Sequence, residues 1–236
     1  MLQNQNTMIK HLIILSLFFG INIPNYNSGN SKDSKSSIER YYDYNVITIK
    51  QGSMNFGVSD KKPTNSDFYI NSNFFKTEST IGLVVMKGKT YNKKVKGGGY
   101  FYVKGNKAFV SSKTYPKNAD YVSQTILWAF DNGKINTSLL KKSHANRKRY
   151  RTLMGQNKSG DIIVISSNMI GFVTIPEIVE FSKKFNLVDG ILLDGGSSVD
   201  YRFKNNSKNV SFSIPSQIKS FMRIKQPTTY IYGNFN

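Results

Sequence analysis

The sequence predicts an α+β fold, a single domain in which a mixed, strand-rich sheet is covered by a few helices. Three observations support this class. Apolar or alternating segments of three to five residues recur along the chain, as is typical of strands. One longer segment has the periodicity of an amphipathic helix. That helix leads directly into another short apolar segment, which indicates a strand–helix–strand unit.

Eight short segments have the composition of strands. Their residues are apolar or alternate between apolar and polar, and Gly, Asn, Asp or Lys bounds them. Hairpins are predicted at Lys87-Gly88 and at Gly105-Asn106, the second of which tolerates positive φ. The predicted strands are 46–49, 68–71, 83–86, 101–104, 126–130, 162–166, 191–193 and 228–232.

A helix is predicted over residues 175–186. Thr174 and Glu177 have the spacing of a capping box, in which a hydroxyl and a carboxylate satisfy the first free amides of a helix. The helix leads through residues 187–190 into the strand that delivers Asp194, so we expect Asp194 at an edge of the sheet. The apolar side chains that share one helical face and would cover the sheet are Ile178, Phe181 and Phe185.

The organisation of the chain is that of one exported domain. Residues 1–24 place Lys10 before an apolar run of signal-peptide length, which indicates either a signal peptide or an uncleaved N-terminal anchor. Residues 25–43 are rich in Asn, Ser, Gly and Lys and predict a flexible linker. Residues 44–236 are then the folded domain. We expect a periplasmic, cell-surface or extracellular protein.

The chain is strongly basic, with 33 Lys and Arg against 14 Asp and Glu and a net charge of +19. Such a charge raises the local concentration of anions. The basic residues are scattered and form no stripe, so nucleic acid is disfavoured as a partner. A phosphorylated sugar or glycan, an anionic cell-surface polymer or a phospholipid surface suits the charge, as does a solvated surface with no partner. Membrane contact is expected only through an uncleaved N-terminal segment.

One short segment carries the clearest functional signal. A buried strand delivers Asp194 to its carboxyl end, which is where ligands tend to bind in open sheets. Gly195 and Gly196 follow, where no Cβ blocks a ligand, and then the hydroxyls of Ser197 and Ser198. Asp-Gly is also an ordinary turn pair, so the segment alone fits either a ligand site or a polar turn.

Four parts of the chain resemble, in order, motifs of the phosphodiester glycosidase family, and together they cover roughly residues 44–232. Asn73 stands where the family has glycine, and we expect it to keep the left-handed backbone conformation there. Ser197 and Val199 also depart from the family's glycine and serine. The matching segments are Phe68–Phe75 with Gly82–Lys89, Gly97–Ala108, Gln124–Lys134 with Arg149–Gly155, and Gly171–Ser198.

The resemblance implies a hydrolase that cleaves the glycosidic bond of a sugar-1-phosphodiester into free sugar and a phosphomonoester. A phosphate leaving group needs little protonation, so one carboxylate can suffice where ordinary glycosidases use two. Asp194 is the candidate, as nucleophile or as base towards water. Arg151 is the candidate phosphate clamp, because a guanidinium matches two phosphate oxygens, although it also fits an exposed basic cluster. The candidate substrate-binding residues are Asn71, Asn73, Gly195, Gly196, Ser197 and Ser198.

Two other functions stay open on the sequence. One is a non-catalytic binding module for phosphorylated glycans or other polyanions, and the other is a basic nucleic-acid binder. The sequence has two histidines, no cysteine, and neither a zinc motif nor a glycine-rich phosphate loop, so we expect no metal and no cofactor. Glu78 or Asp200 could add a second acid near Asp194 or bind calcium, and the sequence does not decide between these roles.

Overall fold

The fold class is the first correction to the sequence analysis. The computed structural model describes residues 31–32, 35–76, 79–221 and 227–236. Strands contain 47% of the described residues and helices contain 11%, and the strands form several antiparallel sheets. The predicted α+β class is therefore wrong, and the fold is mostly β.

The strands are introduced here in chain order. They are β1 (Ser31–Lys32), β2 (Ser36–Arg40), β3 (Tyr44–Ile49), β4 (Met54–Ser59), β5 (Phe68–Asn71), β6 (Phe75–Lys76), β7 (Ser79–Thr80), β8 (Val84–Met86), β9 (Lys89–Asn92), β10 (Gly99–Lys104), β11 (Lys107–Ser111), β12 (Tyr121–Thr125), β13 (Leu127–Asp131), β14 (Lys134–Ile135), β15 (Thr152–Asn157), β16 (Ile162–Ser167), β17 (Leu187–Leu192), β18 (Asp200–Lys204), β19 (Asn209–Ser213) and β20 (Tyr230–Phe235).

Helices are short. Among the described residues they are α1 (Thr137–Leu140), α2 (Ile175–Ser182) and α3 (Ser216–Phe221), with single 3₁₀ turns at Lys183–Phe185 and Gly196–Ser198. None of the helices in the described ranges is long and apolar enough to cross a membrane. The segment expected as a signal peptide or anchor, residues 1–24, lies outside the described residues.

The strands of the described residues pair into three large sheets and one small ribbon. The first sheet has the order β1-β2-β3-β16-β15-β17-β13-β14, the second β11-β10-β12-β8-β9 and the third β19-β18-β5-β20-β4, while β6 and β7 form the ribbon. Strand β15 pairs antiparallel with both β16 and β17, which are therefore parallel to each other. This is the predicted strand–helix–strand unit, with α2 in the connection between β16 and β17.

The core lies where the three sheets meet. Consecutive residues of β16 point to opposite faces of the first sheet. Ile162 and Val164 enter the core that all three sheets share, whereas Ile163 and Ile165 enter a second core under α2. The central strands of the first sheet are thus buried on both faces.

The predicted helix and strands are found in place. Thr174 and Glu177 form the capping box of α2, and Ile178 of this helix is fully buried. Each of the eight predicted strands overlaps an observed strand, and both hairpins are present. The linker expected over 25–43 is corrected in its last part: Ser36–Arg40 pairs with β3, and Ile38 is fully buried.

Candidate active site

Asp194 lies two residues beyond the end of β17, in a turn held by backbone hydrogen bonds. The Leu193 amide donates to the Thr152 carbonyl at 3.0 Å, and the Gly196 amide donates to the Tyr150 carbonyl at 2.7 Å. The Asp194 amide donates to the Ser72 carbonyl at 3.0 Å. Strands from the first and third sheets thus fix the position of this carboxylate.

The carboxylate of Asp194 is mostly buried and has no cationic partner in the part of the chain that the structure describes. Burial raises its pKa to about 6, and hydrogen bonds from the Ser198 hydroxyl and the Gly195 amide offset only part of that rise. Among the described residues, no ion pair involves Asp194. A carboxylate with this pKa changes protonation state just below neutral pH, which is typical of a group that exchanges protons or attacks a substrate.

The raised pKa makes a prediction for stability. Because the folded pKa of Asp194 lies above the unfolded value near 4, folding takes up a proton between about pH 4 and 6. Below about pH 4 the Asp194 carboxyl is protonated in both states and does not lower the free energy of unfolding. As the pH rises through the folded pKa of about 6, ionisation of the buried carboxyl lowers the free energy of unfolding. We expect Asp194→Asn to gain about 1–2 kcal/mol over the wild type between pH 4 and pH 7, allowing for partial exposure.

Denaturant unfolding of both proteins at pH 4, 5.5 and 7 measures this difference. A difference that stays constant over the three pH values would mean that the folded state does not raise the pKa of Asp194.

Asn71 supports the turn from within the protein. Its side chain is fully buried. Its Nδ2 donates to the Asp194 carbonyl at 2.9 Å, and its Oδ1 accepts from the Asp200 amide at 3.0 Å. The amide therefore ties together the two ends of the turn. The bonds of Asn71 to these backbone groups indicate a positioning role, and its expected contact with the substrate stays a prediction.

Removal of the Asn71 side-chain amide is expected to lower both stability and kcat. In Asn71→Ala, the Asp194 carbonyl and the buried Asp200 amide lose their partner, which should lower the free energy of unfolding by about 2–3 kcal/mol. Loss of the bond to the Asp194 carbonyl should also displace the Asp194 carboxylate, and this displacement should lower kcat more than it changes KM. Thermal unfolding and steady-state kinetics measure both effects, with Asn106→Ala in an exposed hairpin as the control. An activity loss matched by an equal loss of folded protein would leave no positioning role for Asn71.

Asn73 does not adopt the conformation predicted for it. The φ of Asn73 is not positive, so the expectation of left-handed backbone geometry is wrong. The side chain is 1% exposed. Its Nδ2 donates to the Gln124 carbonyl at 2.6 Å, while its Oδ1 accepts from the hydroxyls of Ser72 and Ser123. Asn73 thus ties the end of β5 to β12, and its contact with substrate stays a prediction.

The glycines and serines after Asp194 shape the turn. A Cβ at Gly195 would lie 2.7 Å from the Tyr150 carbonyl oxygen, so a larger residue does not fit. Gly196 has a φ of +66° and begins the 3₁₀ turn. Ser198 is buried and its hydroxyl bonds to Asp194, whereas Ser197 is half-exposed. Of the predicted substrate ligands, Gly195, Gly196 and Ser197 are partly exposed.

The structure gives Arg151 a different environment from the one expected of a phosphate clamp. Its Nη2 donates to the His144 carbonyl at 3.2 Å and to the Arg147 carbonyl at 2.9 Å. Its Nε is buried and has no hydrogen-bond partner among the described residues. The Nη2 group of Arg151 therefore holds the loop that precedes it.

Arg149 is the exposed guanidinium beside the glycine turn. Its Nη1 lies 3.6 Å from the position of a Cβ built on Gly196. Within the described part of the chain it forms no ion pair. Arg202, another arginine near the site, is bound to the carbonyls of Thr64 and Ser66. We therefore move the candidate phosphate clamp from Arg151 to Arg149.

The second acid at the turn, Asp200, has its carboxylate bound by other side chains. Asp200 is 1% exposed, and its carboxylate accepts from Lys62 Nζ at 2.9 Å and from the Tyr230 hydroxyl at 3.2 Å. The charge of Asp200 is therefore paired with that of Lys62. Glu78 lies outside the described residues.

The groups that sequence reasoning missed are mostly backbone atoms. The carbonyls of Ser72, Tyr150 and Thr152 hold the turn, and a carbonyl leaves no signal in residue type. Arg149 had a weak signal, since it belongs to a run of basic residues before Arg151.

Two surface clefts of about 450 and 780 Å³ are formed elsewhere, and Asp194 and Arg149 line neither of them.

Solved structures share this fold at low sequence identity. The chain is similar to the catalytic domain of zebrafish N-acetylglucosamine-1-phosphodiester alpha-N-acetylglucosaminidase, auto-inhibited by its pro-peptide, with 15% identity, a TM-score of 0.60, and 90% of this chain and 85% of that chain covered. It is similar to a hypothetical protein from Synechocystis with 11% identity, a TM-score of 0.54, and 88% and 61% of the two chains covered. A protein from Burkholderia pseudomallei described as exported matches with 10% identity, a TM-score of 0.51, and 84% and 74% covered.

A family comparison goes further than these likenesses, which at such identities show the fold alone. No significant match is found among curated proteins. The model of the phosphodiester glycosidase family matches residues 64–218. That range contains Asn71, Arg149 and the whole Asp194 turn. Because the match spans well over half of the 236 residues, the chain belongs to the phosphodiester glycosidase family.

Proposed function

We propose that the protein is a hydrolase that cleaves the glycosidic bond of a sugar-1-phosphodiester and releases free sugar and a phosphomonoester. The observation that carries this proposal is the carboxylate of Asp194. Its backbone is held by hydrogen bonds to residues in and beside two sheets, its pKa is raised, no described residue forms an ion pair with it, and an exposed guanidinium lies beside the neighbouring Gly196. Membership of the phosphodiester glycosidase family supports the same reaction class.

The chemistry needs one carboxylate because of the leaving group. Above about pH 6 the Asp194 carboxylate is ionised. As base, it takes a proton from water while the water oxygen bonds to the anomeric carbon. The bond from that carbon to the phosphate oxygen breaks, and its electron pair leaves on the phosphomonoester. As nucleophile, Asp194 instead bonds to the anomeric carbon while the phosphomonoester leaves with the electron pair of the broken bond. Water then attacks the same carbon, breaks its bond to the Asp194 carboxylate and releases the free sugar.

Arg149 is proposed to hold the phosphate. A guanidinium offers paired N–H donors to two phosphate oxygens, and its charge stabilises the additional negative charge that develops as the bond breaks. The chain's net charge of +19 would favour the approach of an anionic substrate. Gly196 leaves the space between this side chain and the turn free of a Cβ.

The purified protein, incubated with a panel of sugar-1-phosphodiesters that differ in the sugar, tests this function. We expect at least one member to release reducing sugar, and the Asp194→Asn variant to release none above background. Binding without turnover across the panel would instead favour the non-catalytic module for phosphorylated glycans.

We also propose that the protein acts outside the cytoplasm. The apolar run within residues 8–23 supports this location. Expression of the full chain in a bacterial host, followed by fractionation, should find it outside the cytoplasm, with or without trimming near Pro24. Recovery of the full-length chain as a soluble cytoplasmic species would contradict the proposal.

A further inference from the structure

A loop beside the Asp194 turn carries a concentration of positive charge. This basic loop is defined here as residues 141–151. It contains no Asp or Glu. Its exposed cations are Lys141, Lys142, Arg147, Lys148 and Arg149.

The basic loop is anchored to the site and to α2. The Ile175 amide donates to the Ala145 carbonyl at 2.9 Å, and Arg149 pairs with Val173 through two backbone bonds of 3.0 Å. The Arg151 guanidinium binds two carbonyls of the loop from within. The cations are thus presented on a fixed backbone whose far end places Arg149 at Gly196.

The charges of the basic loop repel one another. The pKa of His144 is lowered by burial and then by Arg151, Lys142 and Arg147. The acids that face this region are Asp43 and Glu177, and both interact with Lys148. Within the described residues, no cation of the loop forms an ion pair. An anion bound along the loop would relieve this repulsion.

We infer that the basic loop continues the catalytic site as a binding track for a substrate that carries several phosphates, namely a glycan chain linked by phosphodiesters. This inference rests on the proposed function, since one phosphodiester of the chain would occupy the Asp194 turn while its neighbours lie along the loop. The one aromatic residue of the basic loop, Tyr150, packs against Phe172 and Phe212. The part of the loop that carries the exposed cations, residues 141–149, contains no Phe, Tyr or Trp on which a base could stack, which favours a phosphoglycan over nucleic acid.

A pair of triple variants tests the track. Lys141→Gln/Lys142→Gln/Arg147→Gln removes three loop cations and spares Arg149. The matched control, Lys89→Gln/Lys104→Gln/Lys107→Gln, removes three exposed lysines from the second sheet. The substrates are a single sugar-1-phosphodiester and a short oligomer of sugar-1-phosphate repeats.

The loop variant should lower kcat/KM for the oligomer by about ten- to a hundredfold at low salt and leave the single diester within about threefold. The slope of log affinity for the oligomer against log salt should fall by about two, at ~0.7 for each lost phosphate contact. The control variant should match the wild type on both substrates.

Equal losses in both triple variants, or no loss in either, would overturn the track. So would an oligonucleotide of equal charge that binds as tightly as the oligomer and is weakened equally by the loop variant. If the wild type turns over neither substrate, the proposed function fails. Calorimetric binding of the oligomer then still tests the track, which stands only if the loop variant alone loses affinity.

Discussion

Asp194→Asn should lower kcat on a sugar-1-phosphodiester by roughly a hundred- to ten-thousandfold while substrate affinity stays within a few-fold. The substitution keeps the shape of the side chain. The amide oxygen can still accept from Ser198 and from the Gly195 amide, the bonds that now hold the carboxylate. What it removes is the negative charge that attacks the anomeric carbon or takes the proton of water.

The control for this variant is Asp189→Asn. Asp189 lies in β17, the strand that leads to the turn. Asp189 accepts from the Ser112 amide at 3.1 Å and takes no part in the proposed chemistry. Its substitution should leave kcat within about twofold and alter stability by no more than ~1 kcal/mol. Calorimetry separates binding from turnover for both variants. Full activity of Asp194→Asn would remove Asp194 from the mechanism, whatever its effect on stability.

Arg149→Lys should reduce kcat/KM on the phosphodiester by about a hundred- to a thousandfold, nearly as much as Arg149→Ala. Lysine keeps the positive charge but loses the paired donors that match two phosphate oxygens. A nitrophenyl glycoside has a good leaving group without phosphate, so both variants should handle it as the wild type does. This contrast separates phosphate recognition from damage to the fold.

Arg151→Lys is the matched comparison for Arg149→Lys. The Arg151 guanidinium binds the carbonyls of His144 and Arg147, so its loss should cost about 1–2 kcal/mol of stability and affect both substrates alike. The opposite pattern, a loss specific to the phosphodiester in Arg151→Lys and none in Arg149→Lys, would return the clamp to Arg151.

The elements that the sequence predicted share one property, which is that their local pattern and their tertiary role agree. The capping box of Thr174 and Glu177 begins α2, and the apolar residues before Asp194 form a buried strand. Strand β12 shows why others were missed. Its residues Ser123, Gln124 and Thr125 are polar yet buried, because their side chains bond to groups of neighbouring segments. A strand of this kind has no apolar pattern, so the sequence does not predict it.

The site was predictable only in part, for a similar reason. Residue types identified Asp194 and its glycines, because a carboxylate after a strand and a turn without Cβ atoms follow from local sequence. The burial of Asn71 and Asn73 depends on β12 and on the Asp200 amide, which are distant in the chain. The proposal of Arg149 in place of Arg151 as the phosphate clamp depends on the carbonyls of the basic loop that bind Arg151. No residue pattern carries that information.

The position of bond cleavage can be read directly from hydrolysis in ¹⁸O-labelled water. The proposed mechanism breaks the bond between the anomeric carbon and the phosphate oxygen, so the oxygen of water goes to the sugar. The phosphomonoester released by the wild type should therefore contain no ¹⁸O by mass spectrometry. Incorporation of ¹⁸O into the phosphomonoester would show attack at phosphorus and would contradict a glycosidase that acts through Asp194.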